Sequence, residues 1–265
     1  MRKLKLALLA MALTVMPATA ALAQSSEGQV IVVHGVPDLA VDIYVNGDLT
    51  LENAEFGDVA GPLALPAGTY DIEIYATGSD PSAGDPALAG STDLPAGAVA
   101  TIAAYLEEGG SPTLGVFVEN NSPIEAGNAR ITARHLADFG AVDILANDNV
   151  LFANVTNGNG DDADVPADTY NVKITAAGDP ETVAFDADVP LAEGVDTIAY
   201  AVGSVSGGSF TVVTAAISGL GETPAGVPTG TAGIAADTNV MIPIALAGLA
   251  LLALGGSALL IKQER

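Results

Sequence analysis

The 265-residue sequence contains no cysteine and no tryptophan, and only eight of its residues are lysine or arginine. Without cysteine there is neither a disulfide framework nor a thiolate metal site, so each folded domain depends on its core alone. The lack of tryptophan weakens one means of stacking a sugar ring, although tyrosines remain. The shortage of basic residues argues against nucleic acid and anionic lipid headgroups as partners.

The few basic residues lie mostly at the two ends of a chain whose formal net charge is −24 at pH 7. Three precede the first apolar run and two follow the last one. The three that remain between the ends are Arg130, Arg134 and Lys173. The middle of the chain is therefore strongly acidic, which favours solubility and attracts cations.

The N-terminus has the three parts of an export signal. A basic start is followed by an apolar run from Leu6 to Met16, and Ala21 and Ala23 then supply small residues before Gln24. The apolar run is too short to cross the roughly 30 Å core of a bilayer as a helix. The sequence predicts a signal peptide over residues 1–23, removed near Ala23, and an exported mature protein.

The C-terminus has the pattern of a membrane anchor. Residues 240–261 are uncharged and mostly apolar, and as a helix they would extend roughly 33 Å, enough to span a bilayer. The basic tail at 262–265 stays on the cytoplasmic side by the positive-inside tendency. We expect a single-pass protein of the cell membrane with an extracellular ectodomain. Residues 227–230 suggest sortase-like processing as an alternative, but they lack the leucine of that motif.

Two stretches of the sequence occur twice. Residues 30–48 recur at 131–149, one hundred and one positions later, and residues 65–70 recur at 165–170, one hundred positions later. Such self-similarity fixes the number of structural units, here two. The predicted organisation is repeat 1 at 28–119, a linker at 120–128, repeat 2 at 129–217 and a flexible Gly/Pro/Thr-rich stalk at 218–239.

Each repeat has the alternating pattern of short strands. Val41, Ile43 and Val45 alternate with Asp42 and Tyr44, and the second copy repeats the alternation. An Asn-Gly turn follows in the first copy. Seven or eight short strands per repeat, without a long helical pattern, predict two tandem antiparallel β-sandwiches. Further strands are expected near 29–34, 49–52, 62–65, 87–93, 98–106 and 112–119.

The run VHGVPDLAVDIYVNG at 33–47, the Phe-Gly at 56–57 and LPAGTY at 65–70 carry a family resemblance. The sequence resembles the bacterial exported family known as domain of unknown function 4397, whose members often occur in tandem. The likeness covers most of the first repeat and is looser over the second, where Asn157 replaces the phenylalanine. The resemblance implies an immunoglobulin-like or related β-sandwich on the cell surface, and it implies no activity.

Four repeated positions are candidates for a site: His34 and His135, and Asp42 and Asp143. The histidines would be metal ligands or proton carriers, one per repeat, or else braces between a strand and a loop. One imidazole per repeat, without a second histidine or any cysteine, makes a poor transition-metal site, which favours the fold role. The aspartates lie opposite the aliphatic face of their strands, where a carboxylate is solvated or holds a neighbouring turn.

One acidic stretch resembles a calcium loop. The candidate ligands are Asn157, Asn159, Asp161, Asp164 and Asp168. The first three stand at positions one, three and five of such a loop and the last at position twelve. Position six is Asp162 instead of glycine, and no helices are expected beside it. An acidic loop between strands is therefore favoured over a weak calcium site, and no other cofactor is expected.

The sequence lacks the common catalytic motifs, namely Gly-x-Ser-x-Gly, His-Glu-x-x-His and the phosphate loop. The favoured hypothesis is a non-enzymatic surface protein: two sandwiches on a stalk with a binding, adhesion or envelope-structural role. Its partners would be a glycan, the cell wall or another protein, with the membrane held through the C-terminal helix. The alternative is an extracellular hydrolase that depends on carboxylates or a metal.

Overall fold

A computed structural model describes residues 27–221 of the chain. Within that range the regular structure is entirely β, with sixteen strands and no helix. The predicted signal peptide, most of the stalk and the predicted transmembrane segment with its basic tail lie outside these residues. Between residues 27 and 221 there is no helix long and apolar enough to cross a membrane.

The first eight strands form a two-sheet sandwich. One sheet has the order β4-β1-β7-β8 and the other has the order β3-β2-β5-β6. Neighbouring strands are antiparallel except β1 and β7, which pair in parallel, so the prediction of a purely antiparallel sandwich was wrong in this detail. The strands are β1 (Glu27–His34), β2 (Val41–Val45), β3 (Asp48–Ala54), β4 (Val59–Pro66), β5 (Gly68–Ala76), β6 (Leu88–Leu94), β7 (Val99–Leu106) and β8 (Pro112–Glu119).

The next eight strands repeat this arrangement. Their sheets have the orders β12-β9-β15-β16 and β11-β10-β13-β14, and the pair β9–β15 is again parallel. Every strand of the first sandwich thus has a counterpart in the second. The strands are β9 (Asn128–Asp138), β10 (Val142–Ala146), β11 (Asn149–Val155), β12 (Asn159–Pro166), β13 (Thr169–Ala176), β14 (Asp179–Pro190), β15 (Asp196–Ser204) and β16 (Thr211–Ile217).

One bulge explains why the offset between the two copies changes along the sequence. Strand β12 pairs with β9 without interruption, whereas the pairing of β4 with β1 shifts between Val30 and Val32. The extra residue of the first copy lies at this shift, where Gly61 has a φ of 113°. A Cβ on Gly61 would lie 2.5 Å from the carbonyl oxygen of Val30, so the bulge requires glycine.

The two sandwiches are not separate modules on a linker, because a third core lies between them. Along β1, Val30 packs into the core of its own sandwich, while Ile31 packs against the second sandwich. Both faces of the two central sheets are therefore covered. We call this third cluster the inter-sandwich core; its buried members are Ile31, Val33, Val99, Ala103, Tyr105, Leu136, Ile198, Tyr200, Val202 and Ile217.

Candidate functional site

The two histidines brace equivalent strands to the loops that follow them. His34 and His135 are 2% and 1% exposed. Nε2 of His34 lies 2.7 Å from the carbonyl oxygen of Leu39, and Nε2 of His135 lies 2.9 Å from that of Gly140. Since a carbonyl only accepts, Nε2 carries the proton in each ring and donates it. The histidines therefore connect strand to loop, in the geometry of the predicted fold role.

The other ring nitrogen, Nδ1, has no hydrogen-bond partner in either histidine. Because Nε2 carries the proton that is donated to the loop, Nδ1 is the nitrogen left as an acceptor. Burial lowers the pKa of His135, since desolvation disfavours the charged ring. The same buried, unpaired acceptor thus occurs in both sandwiches.

Asp42 and Asp143 hold a strand bulge and a turn together. In the first sandwich the carboxylate of Asp42 accepts the backbone N–H of Asn53 at 2.8 Å and that of Gly78 at 3.1 Å. Asn53 has a positive φ of 53° within β3, next to a shift in the β2–β3 register. The equivalent contacts of Asp143 are to Asn154 at 2.7 Å and to Gly178 at 2.9 Å.

These contacts favour the charged form of both carboxylates. The backbone hydrogen bond from Asn53 is the main cause that lowers the pKa of Asp42, and the one from Gly178 is the main cause for Asp143. The two aspartates are consequently ionised anchors for backbone N–H groups. This is a structural use of a carboxylate, repeated in each sandwich.

The five candidate calcium ligands do not converge. Asn157 lies in the turn before β12 and donates its amide to the carbonyls of Leu106, at 2.9 Å, and Ala137, at 2.7 Å. Asn159, Asp161 and Asp164 follow one another along β12, which is extended because it pairs with β9 over its whole length. Asp168 lies beyond the strand, where it accepts the N–H of Thr169.

The expectation of a loop over this stretch was therefore wrong: most of it is a strand. Within residues 27–221 no group of three or more histidine, aspartate or glutamate side chains is placed to hold a metal ion. Asn157 instead contacts both sandwiches, since Leu106 belongs to β7 and Ala137 to β9.

Arg130 clamps the connection between the sandwiches, a role that sequence reasoning missed. Its guanidinium is 3% exposed and donates to both carboxylate oxygens of Asp164, at 2.7 and 3.0 Å. Its Nη1 donates to the carbonyl oxygens of Asn120 at 2.8 Å and Ser122 at 3.2 Å. The available signal was that two of the three central basic residues stand together at the start of the second repeat.

Arg134 makes a second charged contact across the junction. Its Nη2 lies 2.6 Å from a carboxylate oxygen of Glu119, and its guanidinium lies 5.2 Å from the ring centroid of Phe117. Glu119 is itself buried. The first sandwich thus supplies the acid and the second supplies the base, which couples β8 to β9.

A buried carboxylate lies near the same junction. Asp196 is fully buried and accepts the hydroxyl of Thr132 at 2.9 Å. Burial raises the pKa of Asp196 to about 6, against the opposing effects of Thr132 and Arg130. The residues at the equivalent register positions of the first sandwich are Ile31 and Val99, so this polar pair is specific to the second copy.

A cleft of about 210 Å³ opens at the edge of the first sandwich between β3 and β4. It brings His34 together with the exposed side chains of Glu52, Asn53 and Asp58. Two carboxylates and a buried ring suit the binding of a cation or a hydrogen-bond donor. This cleft is the candidate binding site, and only His34 among its lining residues was singled out from the sequence.

A family model with the description "Domain of unknown function (DUF4397)" matches residues 28–145. The match begins in β1 and ends in β10, so it covers the whole first sandwich and enters the second. No curated protein matches the chain.

Proposed function

Residues 28–145 belong to the DUF4397 family, and on that premise we propose that the chain is a membrane-anchored surface protein with a non-enzymatic binding, adhesion or envelope-structural role. In this proposal the signal peptide directs export, residues 240–261 span the membrane and the two sandwiches face outward. The acidic ectodomain remains soluble and presents its clefts to glycans, the cell wall or other proteins.

The main support for the proposal is that the repeated residues form hydrogen bonds to backbone groups of their own sandwich. His34 and Asp42 hold a loop, a bulge and a turn through backbone contacts, and their counterparts do the same in the second sandwich. Because these repeated residues bind backbone groups of their own sandwich, they support a structural scaffold that would bind partners through its surface. The inter-sandwich core supports the same idea, because it joins the two sandwiches into one compact unit.

The location is tested by cysteine labelling of intact cells, for which the absence of native cysteine gives a clean background. Ala83 is exposed in the first sandwich, so Ala83→Cys is expected to react with a membrane-impermeant maleimide. Gln263→Cys, in the predicted cytoplasmic tail, is expected to react only after the cells are permeabilised.

Two controls define the outcome. Ala103→Cys is fully buried in the inter-sandwich core and is expected to react only after denaturation. If Ala83→Cys also required permeabilisation, the surface location would be wrong. Labelling of Gln263→Cys in intact cells would contradict the predicted orientation.

A further inference from the structure

The first sandwich contains an apolar cavity next to the β3–β4 cleft. The cavity has a volume of about 80 Å³ and lies between the two sheets, where its lining is almost entirely aliphatic. Val32 and Ile43 line both the cavity and the cleft, so the two spaces adjoin. The exposed carboxylates of the cleft and the aliphatic cavity therefore lie next to each other.

The second sandwich has larger side chains at two corresponding positions. Leu51 faces Ile43 across β3 and β2, and at the equivalent position Phe152 faces Ile144. In the same way Leu88 of β6 corresponds to Phe185 of β14. Leu51 lines the cleft of the first sandwich, so a phenylalanine at this position would occupy more of the space there.

The cleft contains hydrogen-bond acceptors, and the first sandwich has no cationic side chain to pair with them. His34 is 98% buried and presents Nδ1 as a bare acceptor, and Glu52 and Asp58 add two carboxylates beside it. The first sandwich, residues 27–119, contains no lysine or arginine. A cationic hydrogen-bond donor from outside the sandwich would complement these groups.

We propose that this site binds a short-chain primary alkylammonium, with the hydrocarbon chain in the cavity and the ammonium at the cleft. One N–H donates to Nδ1 of His34, and the carboxylates of Glu52 and Asp58 attract the ammonium. The cavity is about half the size of the ~150 Å³ cavity known to hold benzene, which suits a chain of about three or four carbons.

This inference deepens the binding role proposed above and rests on it. Its failure is distinguishable from failure of the surface location, because the labelling experiment does not depend on any ligand. The probe is n-butylammonium chloride, titrated into the purified full-length chain by calorimetry. His34 and His135 ring protons in the NMR spectrum serve as reporters, since only the first ring lines the cleft.

Three comparison compounds separate the parts of the ligand: 1-butanol lacks the charge, butyrate reverses it and methylammonium lacks the chain. We expect saturable binding of one n-butylammonium, at least about tenfold tighter than 1-butanol or methylammonium, with a shift of the His34 ring protons only. Butyrate is expected not to bind. Equal affinity for methylammonium would mean general attraction to the acidic surface and would overturn the site, as would absence of n-butylammonium binding.

The structure supplies a matched pair of variants. Leu51→Phe places in the first sandwich the side chain that the second already has, and it is expected to weaken n-butylammonium binding by about tenfold or more. Phe152→Leu makes the opposite change in the second sandwich and should leave the affinity unchanged. Equal weakening by both variants, or wild-type affinity in folded Leu51→Phe, would overturn the proposal.

Glu52→Gln tests the head group without changing the core, because Glu52 is exposed. We expect severalfold weaker binding of n-butylammonium and unchanged binding of 1-butanol. This variant keeps the proposal testable if Leu51→Phe fails to fold. An unchanged affinity of Glu52→Gln for n-butylammonium would count against the assignment of the ammonium to the cleft.

Discussion

The hydroxyls of Thr101 on β7 and Tyr200 on β15 lie 2.7 Å apart, between the two sandwiches. Both residues are fully buried, and burial raises the pKa of Tyr200. Either hydroxyl alone would be a buried polar group without a partner. The hydrogen bond therefore makes docking of the sandwiches specific, because it is satisfied only in this arrangement.

Tyr200→Phe is expected to destabilise the protein by about 1–3 kcal/mol, because it leaves the hydroxyl of Thr101 buried and unpaired. The double variant Thr101→Val, Tyr200→Phe removes both hydroxyls and should recover most of that loss. Urea denaturation followed by circular dichroism measures both effects.

The control for this prediction is Tyr44→Phe, which removes a hydroxyl from the outer sheet of the first sandwich. It is expected to change the free energy of unfolding by less than about 0.5 kcal/mol. A double variant as unstable as Tyr200→Phe alone would show that the two hydroxyls are not coupled.

The sequence predicted the strands far better than their assembly. Alternation in β2 and β5 marks one buried face, as in Val41, Ile43, Ile72 and Ile74. Strand β7 is buried along its whole length, so its residues do not alternate and the pattern does not say what covers the second face. The parallel pairing of β1 with β7 and the inter-sandwich core both involve strands of this kind. Alternation of apolar and polar residues therefore predicts neither feature.

Arg130→Lys tests the clamp on the connecting segment. Lysine keeps the charge but loses the fork that contacts both oxygens of Asp164 and the carbonyl of Asn120. We expect a loss of about 1–3 kcal/mol in the free energy of unfolding. Amide hydrogen exchange should also accelerate at residues 120–127, where the backbone loses its anchor.

Lys173→Arg provides the comparison, because Lys173 forms an exposed ion pair with Asp148 in the second sandwich. Such surface pairs contribute little, so the midpoint of its urea denaturation should match that of wild type. Unchanged exchange at residues 120–127 in Arg130→Lys would contradict the clamp.

Asp42→Asn is expected to lower stability at neutral pH by about 1–3 kcal/mol, because charged hydrogen bonds to two backbone N–H groups are weakened. The pKa of Asp42 is lower in the folded protein than its ordinary value of 3.8. Its contribution is therefore present above pH 3.8 and is lost as the pH falls through the folded-state pKa. The difference between wild type and variant should shrink in acid.

Asp143→Asn is the matched variant in the second sandwich, where the same two kinds of contact lower the pKa of the carboxyl. The two variants should have parallel pH profiles of the free energy of unfolding. A pH-independent difference in both would mean that shape, and not charge, holds the bulge and the turn.

Repetition identified the bracing residues but not those at the junction. His34 and Asp42 recur in sequence because both sandwiches need the same loop, bulge and turn. Arg130 and Asp196 pair in register with each other on β9 and β15, and the corresponding residues of the first sandwich are Gln29 and Val99. Since each junction residue occurs once, internal comparison gave no signal for it.

Asp196→Asn is expected to stabilise the protein at pH 8. The pKa of Asp196 is raised to about 6 from its ordinary 3.8, so the folded state prefers the protonated carboxyl. The contribution of the protonated Asp196 carboxyl to the free energy of unfolding is fully present below pH 3.8 and is lost as the pH rises through about 6. The loss at pH 8 is on the order of 2–3 kcal/mol, and asparagine avoids it while its amide oxygen still accepts the hydroxyl of Thr132. Urea denaturation at pH 4 and pH 8 measures the difference.

The double variant Thr132→Ile, Asp196→Val separates charge from packing, since it copies Ile31 and Val99 of the first sandwich. It should remove the same pH dependence without retaining any polar group at the site. Arg130 stabilises the charged carboxylate, whereas Glu119 and Asp162 destabilise it, so the pKa of Asp196 depends on the charges of all three residues. If wild type and Asp196→Asn had the same dependence of stability on pH between 4 and 8, burial would not raise the pKa of Asp196 in the folded protein, and the expected gain at pH 8 would be absent.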